Sequence, residues 1–164
     1  MAGNLEFIKS ASGTSVSSLS VTDCFSADYD VYYIHFDCDR TADQANRITF
    51  INTSGSEITS SNYDYATLQL TMSTSFSERQ GTNGAYIQYF LYGQNYNSAT
   101  MYVFNPSNSS YTFILFQGVS DPQRGWKGIG VLKTLDNIGG IKITSNSGTY
   151  DTINLRTYGL RVDS

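Results

Sequence analysis

Alternating apolar and polar positions, the pattern of a strand that buries one face, recur along most of the chain. The clearest example lies near the C-terminus, where one face carries Ile153, Leu155 and Thr157 and the other carries Asn154, Arg156 and Tyr158. Gly159 interrupts this run and predicts a bulge or a close backbone approach, after which Leu160 and Val162 resume the alternation in a changed phase. A strand this apolar must pair with earlier strands, so we expect the C-terminal segment to close the fold.

Other strand-like segments precede it at short, regular intervals. They are residues 5–9, 31–38, 47–51, 66–73, 85–92, 100–104, 111–117, 127–133 and 138–144. In 31–38 the face with Tyr33, His35 and Asp37 is the wetter one. Residues 111–117 are apolar on both faces, which is typical of a strand deep in a sandwich. Turn-forming residues predict loops at 52–55, 78–84, 93–98 and 118–126.

About ten short strands predict an all-β fold, a single-domain antiparallel β-sandwich of jelly-roll type. No segment of ten or more residues has a helical period, although one helical turn near residues 135–137 is a candidate. No repeat of 20 to 50 residues is visible, which disfavours a propeller or solenoid. We divide the chain into residues 1–20, an N-terminal strand with a Ser-rich arm, and residues 21–164, the sandwich.

Composition narrows the class of partner. The chain has 164 residues, of which 14% are aromatic and only 15% charged, with a net charge of −4. Its ten Lys and Arg residues are scattered, so the clustered cations that sequence-independent nucleic-acid binding requires are missing. The first residues lack the pattern of a secretory signal, and no apolar run is long enough to span a membrane. We therefore expect a soluble protein made in a cytosol.

Few residues are suited to catalysis or metal binding. Cys24 and Cys38 predict buried free thiols rather than a disulfide, and with one histidine they cannot complete a zinc site. His35, the only histidine, predicts a packed or surface residue, because no nucleophile motif accompanies it for a Ser-His-Asp triad. We therefore predict no catalytic residue and no cofactor.

Carboxylates are concentrated between Asp23 and Asp43, and two interpretations compete there. An oxygen-ligand calcium site could use Asp28, Asp30, Asp37 and Asp39. The spacing matches no EF-hand loop, and aspartates that bind local backbone donors in turns are the commoner case. A pair of these carboxylates would also suit a glycosidase, but nothing in the sequence sets their separation. We predict no metal site.

Aromatic side chains in or beside predicted loops are the candidate contact residues. They are Tyr63, Tyr65, Tyr92, Tyr96 and Trp126, and such positions suit a glycan or a protein partner. Arg124 and Lys127 flank Trp126 and could face an anionic surface. The alternative is that the aromatic residues cap the ends of the sandwich and that the basic residues lie in a solvated loop.

Several motifs resemble a group of tailed-phage virion proteins, notably those of marine phages. In the C-terminal third they are Gly128-Ile-Gly-Val-Leu-Lys, Ile138-Gly-Gly-Ile-Lys-Ile, and a final strand ending in Thr157-Tyr-Gly-Leu-Arg. Earlier pieces that resemble the same group are Leu5-Glu-Phe-Ile-Lys-Ser, Thr22-Asp-Cys-Phe-Ser, Tyr29-Asp-Val-Tyr and Tyr102-Val-Phe-Asn-Pro-Ser-Asn. The resemblance implies a jelly-roll virion protein, either a capsid decoration subunit or part of the tail-fibre apparatus. Its motifs are structural and carry no catalytic residue.

The resulting expectation is a non-enzymatic virion protein, assembled in the host cytoplasm, that decorates or stabilises the capsid exterior. Its expected partners are phage capsid or tail proteins and further copies of itself, with a trimer as one candidate. The alternative is a tail-fibre or receptor-binding module that holds a host surface glycan on loop aromatics. Contact with nucleic acid or membrane is not expected.

Overall fold

A computed structural model describes residues 4–161 of the chain, except residues 74 and 122. Across that part of the chain there are eleven strands and no helix, and all paired strands run antiparallel. The strands are β1 (Asn4–Val16), β2 (Ser18–Val21), β3 (Val31–Asp39), β4 (Gln44–Asn52), β5 (Tyr63–Thr71), β6 (Phe76–Gly84), β7 (Ile87–Phe104), β8 (Thr112–Asp121), β9 (Arg124–Leu132), β10 (Ile138–Ser145) and β11 (Tyr150–Arg161). The predicted all-β, jelly-roll type sandwich is confirmed.

The strands form two sheets joined by β7. The large sheet has the order β1-β11-β3-β7-β8-β9-β5-β6, and the small sheet has the order β2-β10-β4-β7. Residues 87–93 of β7 pair with β4 in the small sheet, whereas residues 97–104 pair with β3 in the large sheet. The change of sheet occurs at a bulge between Gln94 and Asn97. This one long strand therefore links both layers.

The hydrophobic core lies between the two sheets. Its centre is aromatic: the Phe90 ring of β7 lies 5.3 Å from that of Phe36 and 6.1 Å from that of Phe116. All three side chains are at most 2% exposed. Full burial of a phenylalanine stabilises a fold by about 1.5–3 kcal/mol, so this contact between β3, β7 and β8 holds the large sheet against the small one.

The terminal strand closes the fold, as predicted. β11 lies between β1 and β3, and its pairing with β1 runs from Asn4 opposite Arg161 to Val16 opposite Tyr150. The predicted change of phase after Gly159 is wrong at Leu160, because burial keeps the same alternation and Leu160 lies on the solvent face, while Val162 lies outside the described residues. Gly159 instead marks a close approach, since a Cβ there would lie 2.6 Å from the ring of Tyr29.

Residues 4–21, the described part of the strand and Ser-rich arm, form β1 and β2. β1 is an edge strand of the large sheet and β2 an edge strand of the small sheet. Ile8, Ala11 and Val16 of β1 pack against the core. The segment therefore spans one side of both sheets.

Three segments predicted as loops lie largely in strands instead. Residues 78–84 belong to β6, residues 93–98 belong to β7, and residues 118–121 and 124–126 belong to β8 and β9. The Asn residues that suggested turns are accommodated inside strands at positive φ, 52° at Asn83 and 49° at Asn95. Pairing with strands distant in the chain overrides the local turn preference. Residues 133–137, which include the candidate helical turn, are irregular.

Both cysteines of the chain lie inside the fold. Cys24 and Cys38 are free and buried, as predicted. Burial raises the pKa of both thiols to about 12.

In the part of the chain that the structure describes, no helix has the length and apolar character needed to cross a membrane.

Candidate functional site

The face of the large sheet that points away from the core, called the outer face, is unusually apolar. Strand register aligns its side chains in rows that run across the sheet. The first row contains Leu5, Leu160, Val31, Phe104, Phe113 and Val131. The second row contains Phe7, Tyr158, Tyr33, Tyr102, Leu115, Ile129 and Ala66. The positions named in the two rows are uncharged, and the next position of the first row, on β5, is Asp64, which forms an ion pair with Lys133.

β8 shows how the sequence encodes this face. Ile114 and Phe116 are each 2% exposed and point into the core, whereas Phe113 and Leu115 are 45% and 47% exposed. The prediction that this strand lies deep in the sandwich is therefore wrong. It is apolar on both faces because its outer face also belongs to an apolar surface.

On β8, β9, β5 and β6 the outer face forms a groove of about 760 Å³, adjoined by one of about 410 Å³. We call this region the apolar groove and define it by Ala66, Leu68, Phe113, Leu115 and Ile129. Lys127 and Glu78 also line it. Arg79 and Asp64 line it as well, so the apolar groove combines an apolar floor with two charged residues of each sign.

The small sheet presents a different surface to solvent. Lys142 donates to Glu57 at 2.6 Å and Thr49 donates to Glu57 at 2.7 Å. Arg47 lies over the ring of Tyr86, 4.3 Å from its centroid. Among the described residues, none of the exposed large apolar side chains lies on this face. The two outer faces thus differ sharply in polarity.

On the other half of the large sheet, aromatic rings occupy the second row. We call Phe7, Tyr158, Tyr33 and Tyr102 the aromatic row, and their strands are β1, β11, β3 and β7. Neighbouring ring centroids are 5.6, 5.9 and 5.5 Å apart, with tilted or edge-to-face geometry. Burial, together with the neighbouring tyrosines, raises the pKa of Tyr33. Its phenol therefore remains a hydrogen-bond donor at neutral pH.

A polar cluster lies next to the aromatic row on the same face. Its members are His35, Asp37, Ser98, Asn154 and Arg156. Arg156 Nη1 donates to Asp37 Oδ1 at 2.7 Å, and Asn154 Nδ2 donates to Asp37 Oδ2 at 2.6 Å. The Arg156 and Asp37 side chains are 42% and 34% exposed. The cluster is therefore both held in place and open to solvent.

His35 lies between the other members of the polar cluster. Its Nδ1 lies 3.2 Å from Arg156 Nη1 and 3.5 Å from Asp37 Oδ1, and its Nε2 lies 3.4 Å from Ser98 Oγ. In a serine-hydrolase triad the carboxylate holds the imidazole in place. Here Asp37 accepts a shorter hydrogen bond, of 2.7 Å, from Arg156. That His35 is a packed or surface residue and not a catalytic base stays a prediction.

Two residues of the predicted aromatic contact site are buried in the core. Tyr63 is fully buried, with its hydroxyl donating to Ile58 O and accepting from Phe50 N, each at 2.9 Å. Trp126 is 2% exposed, and its indole donates to Ser120 Oγ at 3.1 Å. Both residues lie in strands rather than loops. Neither can contact a glycan or a protein partner from the surface.

The other predicted contact residues do not converge. Tyr65 packs against the core, whereas Tyr96 is 78% exposed on β7. Arg124 forms a bidentate pair with Asp43 and lies over the ring of Tyr92. Lys127 is exposed on the outer face and lines the apolar groove. Arg124 is therefore occupied within the fold, whereas Lys127 and Tyr65 line the apolar groove.

Some aspartates of the Asp23–Asp43 segment are bound by other side chains. Asp37 is bound by Arg156 and Asn154, Asp43 by Arg124, and Asp28 by Ser26. Within residues 4–161, apart from the two gaps, no three His, Cys, Asp or Glu side chains are grouped as metal ligands. The calcium alternative therefore finds no support in their arrangement.

No protein-family model matches this chain, and no curated protein matches its sequence. In shape it is similar to part of an exo-inulinase from Aspergillus awamori, with 10% identity and a TM-score of 0.48, over 97% of this chain and 30% of the enzyme. It is also similar to the galectin LEC-6 of Caenorhabditis elegans, with 11% identity and a TM-score of 0.40, over 97% and 100%. A third similarity is to sucrose-6-phosphate hydrolase from Lactobacillus gasseri, with 13% identity and a TM-score of 0.37, over 88% and 28%.

The chain thus spans less than a third of the length of these two enzymes. Likenesses at such low identity concern the fold alone.

The outer face as a site was missed by sequence reasoning, although its signals were present. The wetter side of 31–38 and the second face of 150–158 contain the aromatic and polar residues that become neighbours. Neither strand alone shows that they pair in register, since register depends on tertiary pairing.

Proposed function

We propose that the protein is a non-enzymatic structural subunit of a phage virion that docks onto another protein of the particle through its apolar groove. The observation that carries the proposal is the exposed apolar character of the outer face. With strands about 4.8 Å apart, the second row, which crosses seven strands from β1 to β5, is roughly 29 Å long. Exposed contiguous apolar patches larger than a few hundred Å² commonly mark an interaction site.

The groove limits the chemistry of the partner. Ile129 at its centre is 56% exposed, and Phe113 and Leu115 beside it are nearly half exposed. Covering them favours a convex protein segment with aliphatic or aromatic side chains. Lys127 and Glu78 at the same groove favour polar or oppositely charged groups at the edge of that segment. The polar face of the small sheet suits the side that remains in water.

The virion setting rests on the resemblance of the strand and turn motifs to tailed-phage proteins. Decoration of the capsid exterior agrees with a subunit that has one apolar and one polar face. A tail or fibre position is the runner-up.

The test is to count copies of the protein in purified heads and tails of a phage that encodes it, by quantitative mass spectrometry. Hundreds of copies on heads are expected for decoration. A few copies on tails alone would move the protein to the fibre apparatus, and absence from both fractions would overturn the virion assignment.

The surface is tested in the same particles with two variants. Ile129→Glu places a charge in the apolar groove, and we expect it to lower incorporation at least about tenfold, because a buried unpaired charge is strongly unfavourable. Thr144→Glu, on the outer face of the small sheet, is the matched control and should be incorporated normally. Equal incorporation of both variants would exclude the groove as the docking surface.

A further inference from the structure

The aromatic row and the polar cluster together form a second surface, and none of their residues lines the apolar groove. The row and the cluster share β11, β3 and β7, and consecutive outward positions on a strand are about 6.8 Å apart. Tyr158 is followed along its strand face by Arg156 and Asn154, and Tyr33 by His35 and Asp37. The aromatic row and the polar cluster therefore lie side by side on the outer face.

The polar cluster is held in place by its own hydrogen bonds before any ligand binds. Asp37 accepts from Arg156 with one oxygen and from Asn154 with the other, so all three side chains are fixed relative to the sheet. Among the hydrogen bonds found in the described residues, Arg156 Nη2 and Nε and Asn154 Oδ1 have no protein partner. The polar cluster thus presents two donor nitrogens and one acceptor oxygen from immobilised side chains, which reduces the entropy cost of binding.

The charges of the polar cluster indicate which class of ligand it can bind. Arg156 and Asp37 neutralise each other, and the chain carries a net charge of −4. A phosphate or other anion would meet the Asp37 carboxylate, and a cation would meet the Arg156 guanidinium. The favoured ligand is neutral and has both donors and acceptors.

We propose that the aromatic row and the polar cluster bind a neutral oligosaccharide. A sugar ring has an apolar face of C–H groups that packs on aromatic rings, and hydroxyls that both donate and accept. With successive ring centroids 5.5 to 5.9 Å apart, the row offers contacts to several consecutive sugar units. Charged groups that hydrogen-bond to hydroxyls give orientation and selectivity. This site differs from the loop aromatics expected from the sequence, two of which are buried.

The test uses ¹⁵N-labelled protein and NMR titration with four neutral hexasaccharides, made of glucose, galactose, mannose or N-acetylglucosamine. At least one is expected to shift amide resonances of β3, β7 and β11 in the millimolar range or tighter. Failure of all four to shift these resonances would overturn the proposal, and so would shifts confined to the apolar groove.

Variants separate the site from the fold and from the groove. Arg156→Met and Asn154→Ala should each weaken binding, the former about tenfold or more, because hydrogen bonds to charged groups contribute most. The dispersion of their amide spectra shows whether each variant is folded, and Asn154→Ala leaves the Arg156–Asp37 pair in place. Ile129→Glu, which blocks the apolar groove, should bind the sugar as the wild type does. Undiminished binding by both folded cluster variants would also overturn the proposal.

Discussion

Single residues on the small sheet show how local contacts set pH dependence. Burial by itself would raise the pKa of Glu57, but hydrogen bonds from Lys142 and Thr49 outweigh burial and hold that pKa below its ordinary value of 4.5. A depressed pKa means that the folded state favours the carboxylate. Its contribution to stability is complete above about pH 4.5 and disappears as the pH falls through the lower, folded-state pKa.

We therefore expect Glu57→Gln to lower the free energy of unfolding by about 0.5–1 kcal/mol at pH 7, since the side chain is partly exposed. The difference from the wild type should shrink as the pH falls below 4.5. Denaturant unfolding at several pH values measures it, with substitution of the exposed Asp151 of β11, Asp151→Asn, as the control. A difference that stays constant from pH 7 to pH 3 would contradict this account.

At the scale of elements, β7 determines how the two sheets are joined. Just before its bulge, Gly93 pairs with β4 and accepts a hydrogen bond from the buried Arg40 at 3.0 Å. A Cβ at position 93 would lie 2.5 Å from the Cβ of Ser120 and 2.7 Å from Asn97 Oδ1. The strand therefore changes sheet at a point where only glycine fits.

Gly93→Ala should destabilise the protein by about 1–3 kcal/mol, the usual cost of overpacking a tight interior. Gly125→Ala is the matched control, because the nearest atom to a Cβ there is 3.7 Å away in ordinary contact. Thermal unfolding should show a clear loss for the first variant and almost none for the second. Equal midpoints would show that β7 relaxes around the added methyl group.

For the whole molecule, the pairing of the first and last strands is the closing contact. β1 covers one side of β11, and its Ile8, Ala11 and Val16 pack on the core. Without β1, β11 becomes an unprotected edge strand with apolar neighbours, a known liability for aggregation.

Deletion of residues 1–16 should therefore lower the unfolding midpoint by several degrees or more and increase aggregation, since several buried apolar side chains are lost. Differential scanning calorimetry and light scattering measure the two effects, and deletion of residues 1–3 is the control. An unchanged midpoint would show that residues 1–16 do not contribute to the stability of the fold.

Part of the candidate site could be predicted from sequence. His35 and Asp37 were placed on the wetter face of one strand, and Arg156 and Tyr158 on one face of another. The predictions that failed concern residues whose neighbours in the fold lie far away in the sequence. Trp126 and Tyr63 resemble loop aromatics because glycines and polar residues surround them, yet strands from elsewhere in the chain bury both. Gly159 looks like a phase change but accommodates the ring of Tyr29.

The sequence by itself determined the all-β class, the positions of most strands and the closure of the fold by β11, because strand alternation and turn chemistry are local properties. Only the tertiary structure decided which faces meet solvent. The two apolar faces of β8 are equivalent in sequence, and pairing in a large sheet covered by a smaller one leaves Phe113 and Leu115 outside and Ile114 and Phe116 inside. Register between distant strands likewise assembled Arg156, Asp37 and the tyrosines into one surface.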